Sequence, residues 1–306
     1  YGLAYLAGFV AAYFVLKFLA RRRLWVVEES KVADFIAYAA MFGVFVGGRL
    51  GYVLFYMIPE RGIGALMNDP LVVFRVWDGG MASHGGFLGL MAFTYIYARK
   101  TQVSWTGVGD GLVVAAPLGL LFGRLANFIN GELYGRVADG VAWAVKFPSA
   151  LFDTKAPEYG RQAMVEIAAR EVDPDVDLRN LVDGMRDNPE LREVVGGFLE
   201  PRHPSQLYEA FLEGAVLFAI LLFLRLRFPK LADGILTGTF FVLYAVFRII
   251  AEQFREPDSA WVIEDILTKG QFYSVFLLVI GVAFYLFAWR SRRAESALSP
   301  PSPPSP

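Results

Sequence analysis

The residues best suited to chemistry form one run, residues 123–136, at the end of a long apolar segment. At helical spacing Arg124, Asn127 and Gly131 share one face, with Asn130 beside them. Such polar groups are costly in hydrocarbon unless they face a partner, a cavity or a ligand. A guanidinium stays charged and matches the geometry of phosphate, so Arg124 is a candidate anion clamp. The alternative is an ordinary helix end whose polar side chains reach the membrane surface.

A second polar cluster, on a later apolar segment, contains Tyr244, Arg248, Glu252 and Arg255, and the first three follow one another at intervals of four residues. This spacing stacks them along one helix face. Arg248 can hold an anion if Glu252 fixes its direction. The alternative is a plain intrahelical ion pair between Arg248 and Glu252.

A histidine, His84, stands at the start of another apolar segment and is followed by Gly85 and Gly86. Glycine lets another backbone or a ligand approach closely, and histidine can act as a base near neutral pH. His84 is therefore a candidate base, with a purely structural histidine as the alternative.

A fourth polar run, residues 202–209, has the sequence RHPSQLYE and leads into an apolar segment. Pro204 predicts entry into a helix, and Ser205 is the predicted N-cap. Glu209 and Glu213 fall on one helix face. Glutamates in the early turns of a helix also suit its dipole, so structural and functional roles both stay open for these carboxylates.

Composition excludes several functional classes. The chain is 56% hydrophobic, its mean hydropathy is +0.43 and its net charge is −1, so no basic field favours nucleic acid. Cysteine is absent, which excludes disulfides, thiolate metal sites and a cysteine nucleophile on this chain. There is no metal-ligand spacing, nucleotide-binding loop or serine-hydrolase motif. We expect no metal and no cofactor.

Seven apolar segments predict an all-α polytopic membrane protein. Their approximate limits are residues 1–20, 33–58, 80–98, 111–129, 206–224, 234–251 and 272–289. The hydrophilic residues 130–205, between the fourth and fifth segments, predict a small external head with a short amphipathic helix at 162–172. Residues 1–293 then form the membrane domain with this head inserted, and the Ser/Pro-rich tail, residues 294–306, is predicted to be disordered.

Two runs of small residues predict close helix packing. Gly43, Gly47 and Gly51 lie in the second segment, and Gly119 and Gly123 lie in the fourth. Glycine at this spacing removes side-chain bulk from one helix face, so a neighbouring helix can come close.

Basic residues predict the orientation. The loops after the first, third, fifth and seventh segments contain Arg21, Arg22, Arg23, Lys31, Arg99, Lys100, Arg225, Arg227, Lys230, Arg290, Arg292 and Arg293. The short loops on the other side contain few basic residues. The positive-inside rule therefore predicts a cytoplasmic C-terminus, with the N-terminus and the head in the periplasm or its equivalent.

Membrane-depth arginines without a nucleotide motif indicate a site for an anionic lipid headgroup.

Five longer motifs extend over nearly the whole chain: GGRLGYVLFY (47–56), RVWDGGMASHGG (75–86), GRLANFINGELYGR (123–136), RHPSQLYEA (202–210) and FRIIAEQFREPD (247–258). With these motifs the chain resembles the prolipoprotein diacylglyceryl transferase family. The resemblance implies a bacterial inner-membrane enzyme that transfers diacylglyceryl from phosphatidylglycerol to the lipobox cysteine thiol of a prolipoprotein. A thioether and glycerol 1-phosphate would result, in the first step of lipoprotein maturation. We expect a monomer.

The resemblance also implies which residues matter. Arg124 looks like the family's essential phosphatidylglycerol-binding arginine, and Arg248 looks like its second essential arginine. Other functionally important positions of the family are matched by His84, Tyr1, Asn127, Glu132, Gly135, Tyr244 and Glu252. This chain departs from its relatives at Ser83, where an aromatic residue is common, and in its longer and more charged head.

Two other classes of protein stay open. An anionic-lipid transporter or flippase would use the same arginines, although no inverted repeat of broken helices is visible. A membrane scaffold would instead pair its charges internally.

Overall fold

The computed structural model describes residues 1–75, 77, 79–256 and 269–298. Within these residues every named element is helical, and β-type pairing is limited to isolated bridges. The main helices are α1 (Gly2–Arg21), α2 (Glu29–Arg61), α3 (Ser83–Thr101), α4 (Trp105–Ile129), α5 (Gln162–Val172), α6 (Leu181–Asp187), α7 (Pro189–Gly196), α8 (Ser205–Arg227), α9 (Ile235–Glu252) and α10 (Lys269–Leu298). Helices α2 and α8 include π-helical turns, at Ala39–Phe45, Val53–Met57 and Ala210–Val216.

Six of these helices are long and apolar enough to cross a membrane, which supports the prediction of a helical membrane protein. They are α1, α2, α4, α8, α9 and, within α10, Gln271–Ser291. The third predicted segment forms helix α3 of 19 residues. Its glycines, its tyrosines, His84 and the terminal Arg99 and Lys100 make α3 less apolar than the other six.

The ends of the helices differ from the sequence prediction by several residues. Helix α4 begins at Trp105 instead of residue 111. The Ser104 hydroxyl accepts a hydrogen bond of 3.1 Å from the Gly107 amide and so caps this earlier start. Helix α10 continues to Leu298, past the predicted boundary at residue 293. Residues 299–306, the remainder of the predicted tail, lie outside the described residues.

The chain divides into two compact units. The first contains Tyr1–Gly8, Pro117–Leu217 and Leu243–Leu278, and the second contains Phe9–Ala116, Phe218–Val242 and Val279–Pro306. Arg124, Arg248 and the predicted head belong to the first unit, and His84 belongs to the second.

In the second unit, helices α2 and α3 touch through their backbones. A Cβ atom added at Gly51 would lie 2.4 Å from the Gly85 Cα, and one at Gly47 would lie 2.7 Å from the Gly89 Cα. One at Gly43 would lie 3.0 Å from the nearest α3 backbone atom. The prediction of close packing along this glycine run is therefore confirmed.

The outcome of the same prediction differs between the two glycines of helix α4. A Cβ atom added at Gly119 or Gly123 would meet no atom of the described residues within 4 Å. Helix α1 nevertheless comes close to Gly119, because a Cβ atom added at Gly8 would lie 3.4 Å from the Gly119 Cα. The prediction of a close approach therefore holds at Gly119 and is wrong at Gly123, because a small residue permits a close approach but does not bring a partner helix to its face.

Arg49 is a buried arginine of helix α2 that organises the loop before α3. Its Nε donates to the Val73 carbonyl oxygen at 3.0 Å, and its Nη2 donates to the Val72 carbonyl oxygen at 2.5 Å. Its Nη1 donates to the carbonyl oxygens of Gly80, at 3.0 Å, and Gly79. One guanidinium thus holds two stretches of this loop together, and it fixes the chain that leads into α3 and His84.

The head, residues 130–204, has its own apolar core. Helices α5, α6 and α7 enclose it, and the predicted amphipathic helix at 162–172 is confirmed with those bounds as α5. The buried residues of this core are Leu151, Val165, Ala169, Val176, Leu181, Met185, Leu191, Val195 and Leu199. The Asn188 side chain accepts a hydrogen bond of 3.1 Å from the Leu191 amide and caps α7. The charged residues of the head therefore lie around an apolar core and form the surface of a folded region.

A buried ion pair between Arg202 and Glu158 lies at the base of the head. The Arg202 guanidinium donates from Nη2 to Glu158 Oε2 at 2.9 Å and from Nε to Oε1 at 3.2 Å, and it lies over the Tyr134 ring at 4.7 Å. Burial opposes ionisation of Glu158. The hydrogen bonds and charge of Arg202 outweigh burial and hold the pKa of Glu158 below its ordinary value of 4.5.

Replacing Glu158 by glutamine should remove a pH-dependent part of the stability. Because the folded-state pKa of Glu158 is lowered, the ion pair stabilises the protein above pH 4.5 and is lost as the pH falls through the folded-state pKa. Near neutral pH, Glu158→Gln should lower the free energy of unfolding by about 3 kcal/mol, because Arg202 loses its buried partner. Thermal unfolding in detergent should show a Tm difference from wild type that shrinks in acid.

The exposed Glu193 provides the matched control. Glu193→Gln should unfold like wild type at every pH. A Glu158→Gln variant whose Tm stayed parallel to that of wild type from neutral pH into acid would contradict a role for this ion pair.

Candidate functional site

The two predicted arginines meet on one carboxylate. Arg124, near the end of α4, places its Nε 2.8 Å from Oε2 of Glu209. Arg248, on α9, donates from Nη1 to Oε1 of Glu209 at 2.5 Å. Glu209 itself lies on α8 and is fully buried. The parts of α4, α8 and α9 that belong to the first unit are therefore joined at a single side chain.

Further charged residues complete what we call the arginine–glutamate cluster. Arg255 donates from Nη1 to Glu209 Oε1 at 3.1 Å, and Arg248 Nη2 lies 3.1 Å from Glu252 Oε2. Glu213, one turn after Glu209 and also fully buried, lies 3.7 Å from both Arg124 Nη2 and Arg248 Nη1. The cluster is defined as Arg124, Glu209, Glu213, Arg248, Glu252 and Arg255.

The cluster contains three arginines and three glutamates, and these side chains are largely shielded from water. The side chains of Arg124, Arg248 and Arg255 are 17%, 13% and 5% exposed. Ion pairs this far from water are strong only when both partners are present, because a lone buried charge is very costly. The guanidiniums are consequently held in fixed directions, as an anion site requires.

The predicted intrahelical pair of Arg248 and Glu252 is present, but it is only one edge of the cluster. From the sequence, structural and functional roles both stayed open for Glu209 and Glu213, and Arg255 was grouped with Arg248 and Glu252 without a role of its own. The sequence shows two glutamates one turn apart in an apolar helix, but it does not indicate which arginines they face. Glu213 also lies in the π-helical turn Ala210–Val216, and turns of this kind are frequent at functional sites.

A second polar group joins three residues that match functionally important positions of the family. The Tyr1 hydroxyl donates to the Glu132 carboxylate and accepts a hydrogen bond of 2.7 Å from Asn127 Nδ2. We call these residues the tyrosine group. It ties the first residue of the described chain to the end of α4 and to the loop that follows.

The first turn of α8 holds the loop that carries Glu132. Gln206 Nε2 donates to the Glu132 carbonyl oxygen at 2.7 Å, and the Ser205 hydroxyl donates to the Leu133 carbonyl oxygen at 3.2 Å. Leu133 has a φ of 56°, a left-handed conformation that a leucine adopts only when its surroundings hold it there. The prediction of Ser205 as N-cap is wrong, because Pro204 occupies that position and Ser205 begins the helix.

Gly135 is a point where three chain segments meet. Its amide donates to the His203 carbonyl oxygen at 3.0 Å, and it forms an isolated antiparallel bridge with Arg255. A Cβ atom added there would lie 2.4 Å from the His203 carbonyl oxygen and 2.5 Å from the Phe254 carbonyl oxygen. Glycine is therefore required by this close approach.

The remaining predicted residues lie in different places. Tyr244 is on α9, one turn before Arg248, and interacts electrostatically with Glu213. His84 is exposed in the first turn of α3, in the second unit. Its catalytic role stays a prediction.

Known proteins are similar to this chain over most of its length. A family model described as prolipoprotein diacylglyceryl transferase matches residues 1–287. Proteins named phosphatidylglycerol–prolipoprotein diacylglyceryl transferase from Serratia proteamaculans (strain 568), Shigella boydii serotype 4 (strain Sb227) and Escherichia coli (strain K12 / DH10B) are each 40% identical to it. The first alignment covers 98% of this chain and 91% of the relative, and the other two cover 95% and 89%.

The chain therefore belongs to the prolipoprotein diacylglyceryl transferase family, and it is a transferase. The resemblance noted in its motifs is confirmed.

Removing the charge of Glu209 should disrupt the arginine–glutamate cluster. Glu209→Gln leaves three buried guanidiniums short of a carboxylate, so we expect a loss of about 3–5 kcal/mol in the free energy of unfolding. Thermal unfolding in matched detergent measures the loss as a lower Tm. Glu256→Gln, which alters an exposed partner of Arg202, is the control and should unfold close to wild type. Equal Tm values for the two variants would contradict a central role for Glu209.

Adding one methyl group at Gly135 should force apart the segments that meet there. Gly135→Ala places its Cβ against two carbonyl oxygens, and we expect it to cost about 2–3 kcal/mol in the free energy of unfolding. Gly160→Ala, at a position where an added Cβ meets nothing within 4 Å, should be tolerated. Protease resistance of the head, followed with temperature, distinguishes the two. A resistant Gly135→Ala variant would show that the close approach can relax.

Proposed function

We propose that this chain transfers diacylglyceryl from phosphatidylglycerol to the lipobox cysteine thiol of prolipoproteins, as the first step of lipoprotein maturation. A thioether forms and glycerol 1-phosphate leaves. The names of the relatives supply the two substrates. The observation that carries the proposal is the convergence of Arg124 and Arg248 on Glu209, because it presents two fixed guanidiniums at one place.

In this proposal Arg124 and Arg248 hold the lipid phosphate. A guanidinium has five N–H donors, so an arginine oriented by one carboxylate can also donate to phosphate oxygens. Negative charge grows on the phosphate oxygen as the glyceryl C–O bond breaks. Arginines that are already in place stabilise that charge without reorganisation. Glu252 and Tyr244, beside Arg248 on α9, belong to the same lipid site.

The tyrosine group and His84 have separate roles in the proposal. Tyr1, Asn127 and Glu132 offer hydroxyl, amide and carboxylate groups that suit the glycerol hydroxyls of the headgroup. Gly135 supports this region through its backbone contacts. His84 accepts the proton of the lipobox thiol, because the thiolate is the form that attacks carbon.

We also propose a membrane arrangement. Helix α3 is a seventh span beside the six apolar ones, and residues 1–293 form the membrane domain with the head as its periplasmic part. The C-terminus is cytoplasmic, because the basic loops follow alternate spans. The protein acts as a monomer in the bacterial inner membrane, on lipid and signal-peptide substrates that it takes from the bilayer.

The central experiment follows glycerol phosphate release from phosphatidylglycerol by the purified chain and a synthetic lipobox peptide. Release should require the peptide cysteine, so a Cys→Ala peptide is the substrate control. Arg124→Lys keeps the charge but loses the forked geometry, and it should lower kcat/KM by about 100-fold, as expected when a positioned transition-state donor is removed. Thermal unfolding of the variant shows whether the cluster still folds.

Other outcomes of this assay have definite meanings. If the assay showed no glycerol phosphate release that depends on the peptide thiol, but phosphatidylglycerol moved across vesicle membranes and this movement required the arginines, the result would indicate the anionic-lipid transporter instead. Full activity of Arg124→Lys would exclude bidentate binding by this residue. Near-normal turnover of His84→Gln with an unshifted pH profile would remove His84 from the role of base.

A further inference from the structure

Glu213 is the one glutamate of the arginine–glutamate cluster that has no arginine nitrogen nearer than 3.7 Å within the described residues. Its side chain is fully buried, and neither oxygen has a hydrogen-bond donor there. The arginine nitrogens nearest to it, on Arg124 and Arg248, are both 3.7 Å away. Glu209 and Glu252 differ from it, because arginine nitrogens approach them to 2.5 Å and 3.1 Å.

A buried carboxylate without donors is energetically costly, so this position is suited to a change of state. Two changes would satisfy Glu213. A ligand can bring donors to it, or the carboxyl can take up a proton and become a donor itself. An anionic lipid phosphate brings acceptors and a negative charge, so it favours the second change.

The charge balance of the cluster points the same way. Three arginines already face three glutamates, so a bound phosphate adds a negative charge that no cluster residue offsets. Protonation of one glutamate restores the balance. Glu209 and Glu252 would each lose a close contact with an arginine if they were neutralised. Glu213 has no contact of that kind to lose.

The charged and titratable groups around Glu213 come from three helices and from the residues after α9. Arg124 lies on α4, Arg248 and Tyr244 lie on α9, Arg255 follows α9, and Glu209 precedes Glu213 on α8. The arginines favour the charged form of Glu213, whereas Glu209 and a bound phosphate disfavour it. Binding of phosphate therefore shifts the balance toward the protonated form.

We propose that Glu213 takes up one proton when the phosphate of phosphatidylglycerol binds, and that its protonated carboxyl donates a hydrogen bond to that phosphate. This inference rests on the proposed lipid site but not on the transfer step. Phosphatidylglycerol affinity then depends on pH, and Glu213 is a lipid-contacting residue that the sequence analysis did not assign.

The test measures binding of short-chain phosphatidylglycerol to the purified full chain in detergent by titration calorimetry. Binding enthalpies measured at one pH, in buffers of different ionisation enthalpy, give the number of protons taken up on binding. This number should be about one per lipid. Between about pH 6 and about pH 9, Kd should rise by up to about tenfold per pH unit, because proton uptake is linked to binding. Diacylglycerol, which lacks the phosphate, should cause no proton uptake.

Glu213→Gln keeps the shape of the protonated carboxyl and should bind the lipid with no proton uptake and a flat pH profile. Glu252→Gln is the matched control on α9, and it should bind more weakly but keep the wild-type pH slope. Wild-type protein alone can overturn the inference, so the test does not depend on the folding of a variant.

Lipid binding by the wild type without proton uptake, or proton uptake retained in Glu213→Gln, would overturn the inference and leave the proposed function in place. No binding of phosphatidylglycerol by the wild type would overturn the proposed lipid site, and this inference with it.

Discussion

The first unit depends on one constraint, which is that charge removed from water must be matched by opposite charge. Arg124 comes from one part of the chain and Arg248 and Arg255 from another, and each approaches Glu209. An arginine in apolar surroundings is costly without such a partner. Helices α4, α8 and α9 can satisfy all three arginines only in an arrangement that brings them to this side chain. The ion pairs therefore help to specify the packing of these helices.

The same constraint explains how buried arginines act elsewhere in the chain. Arg202 is satisfied by Glu158 and organises the base of the head, whereas Arg49 is satisfied by four backbone carbonyl oxygens and organises a loop of the second unit. A guanidinium has donors in several fixed directions, so one residue can hold several chain segments. The phosphate clamp that we propose and the structural clamps thus rest on one property of the guanidinium, and its partners distinguish them.

Sequence reasoning succeeded where the decisive contacts were local. Four-residue spacing predicted the Arg248–Glu252 pair, the glycine run of α2 and helix α5. It could not find the approach of Arg255 to Glu209, 46 residues away, because spacing within one helix does not reveal which face of another helix it meets. The family resemblance singled out Tyr1 and Glu132, but their contact across 131 residues was not predicted. The prediction for Gly123 failed for the converse reason, since a pattern that permits a contact does not supply its partner.

The pairing around Gly135 has a consequence for the order of events during synthesis. The Arg136 amide donates to the Phe254 carbonyl oxygen, so a segment next to the head is completed by residues made more than a hundred positions later. At about 10 residues per second, the ribosome needs roughly ten seconds to supply that partner. The head can assemble its own apolar core in the meantime, but the contact at Arg136 cannot form until α9 and the residues after it have been made. A nascent chain stalled before this point would carry a folded head on an unfinished site, a state that quality-control proteases could recognise.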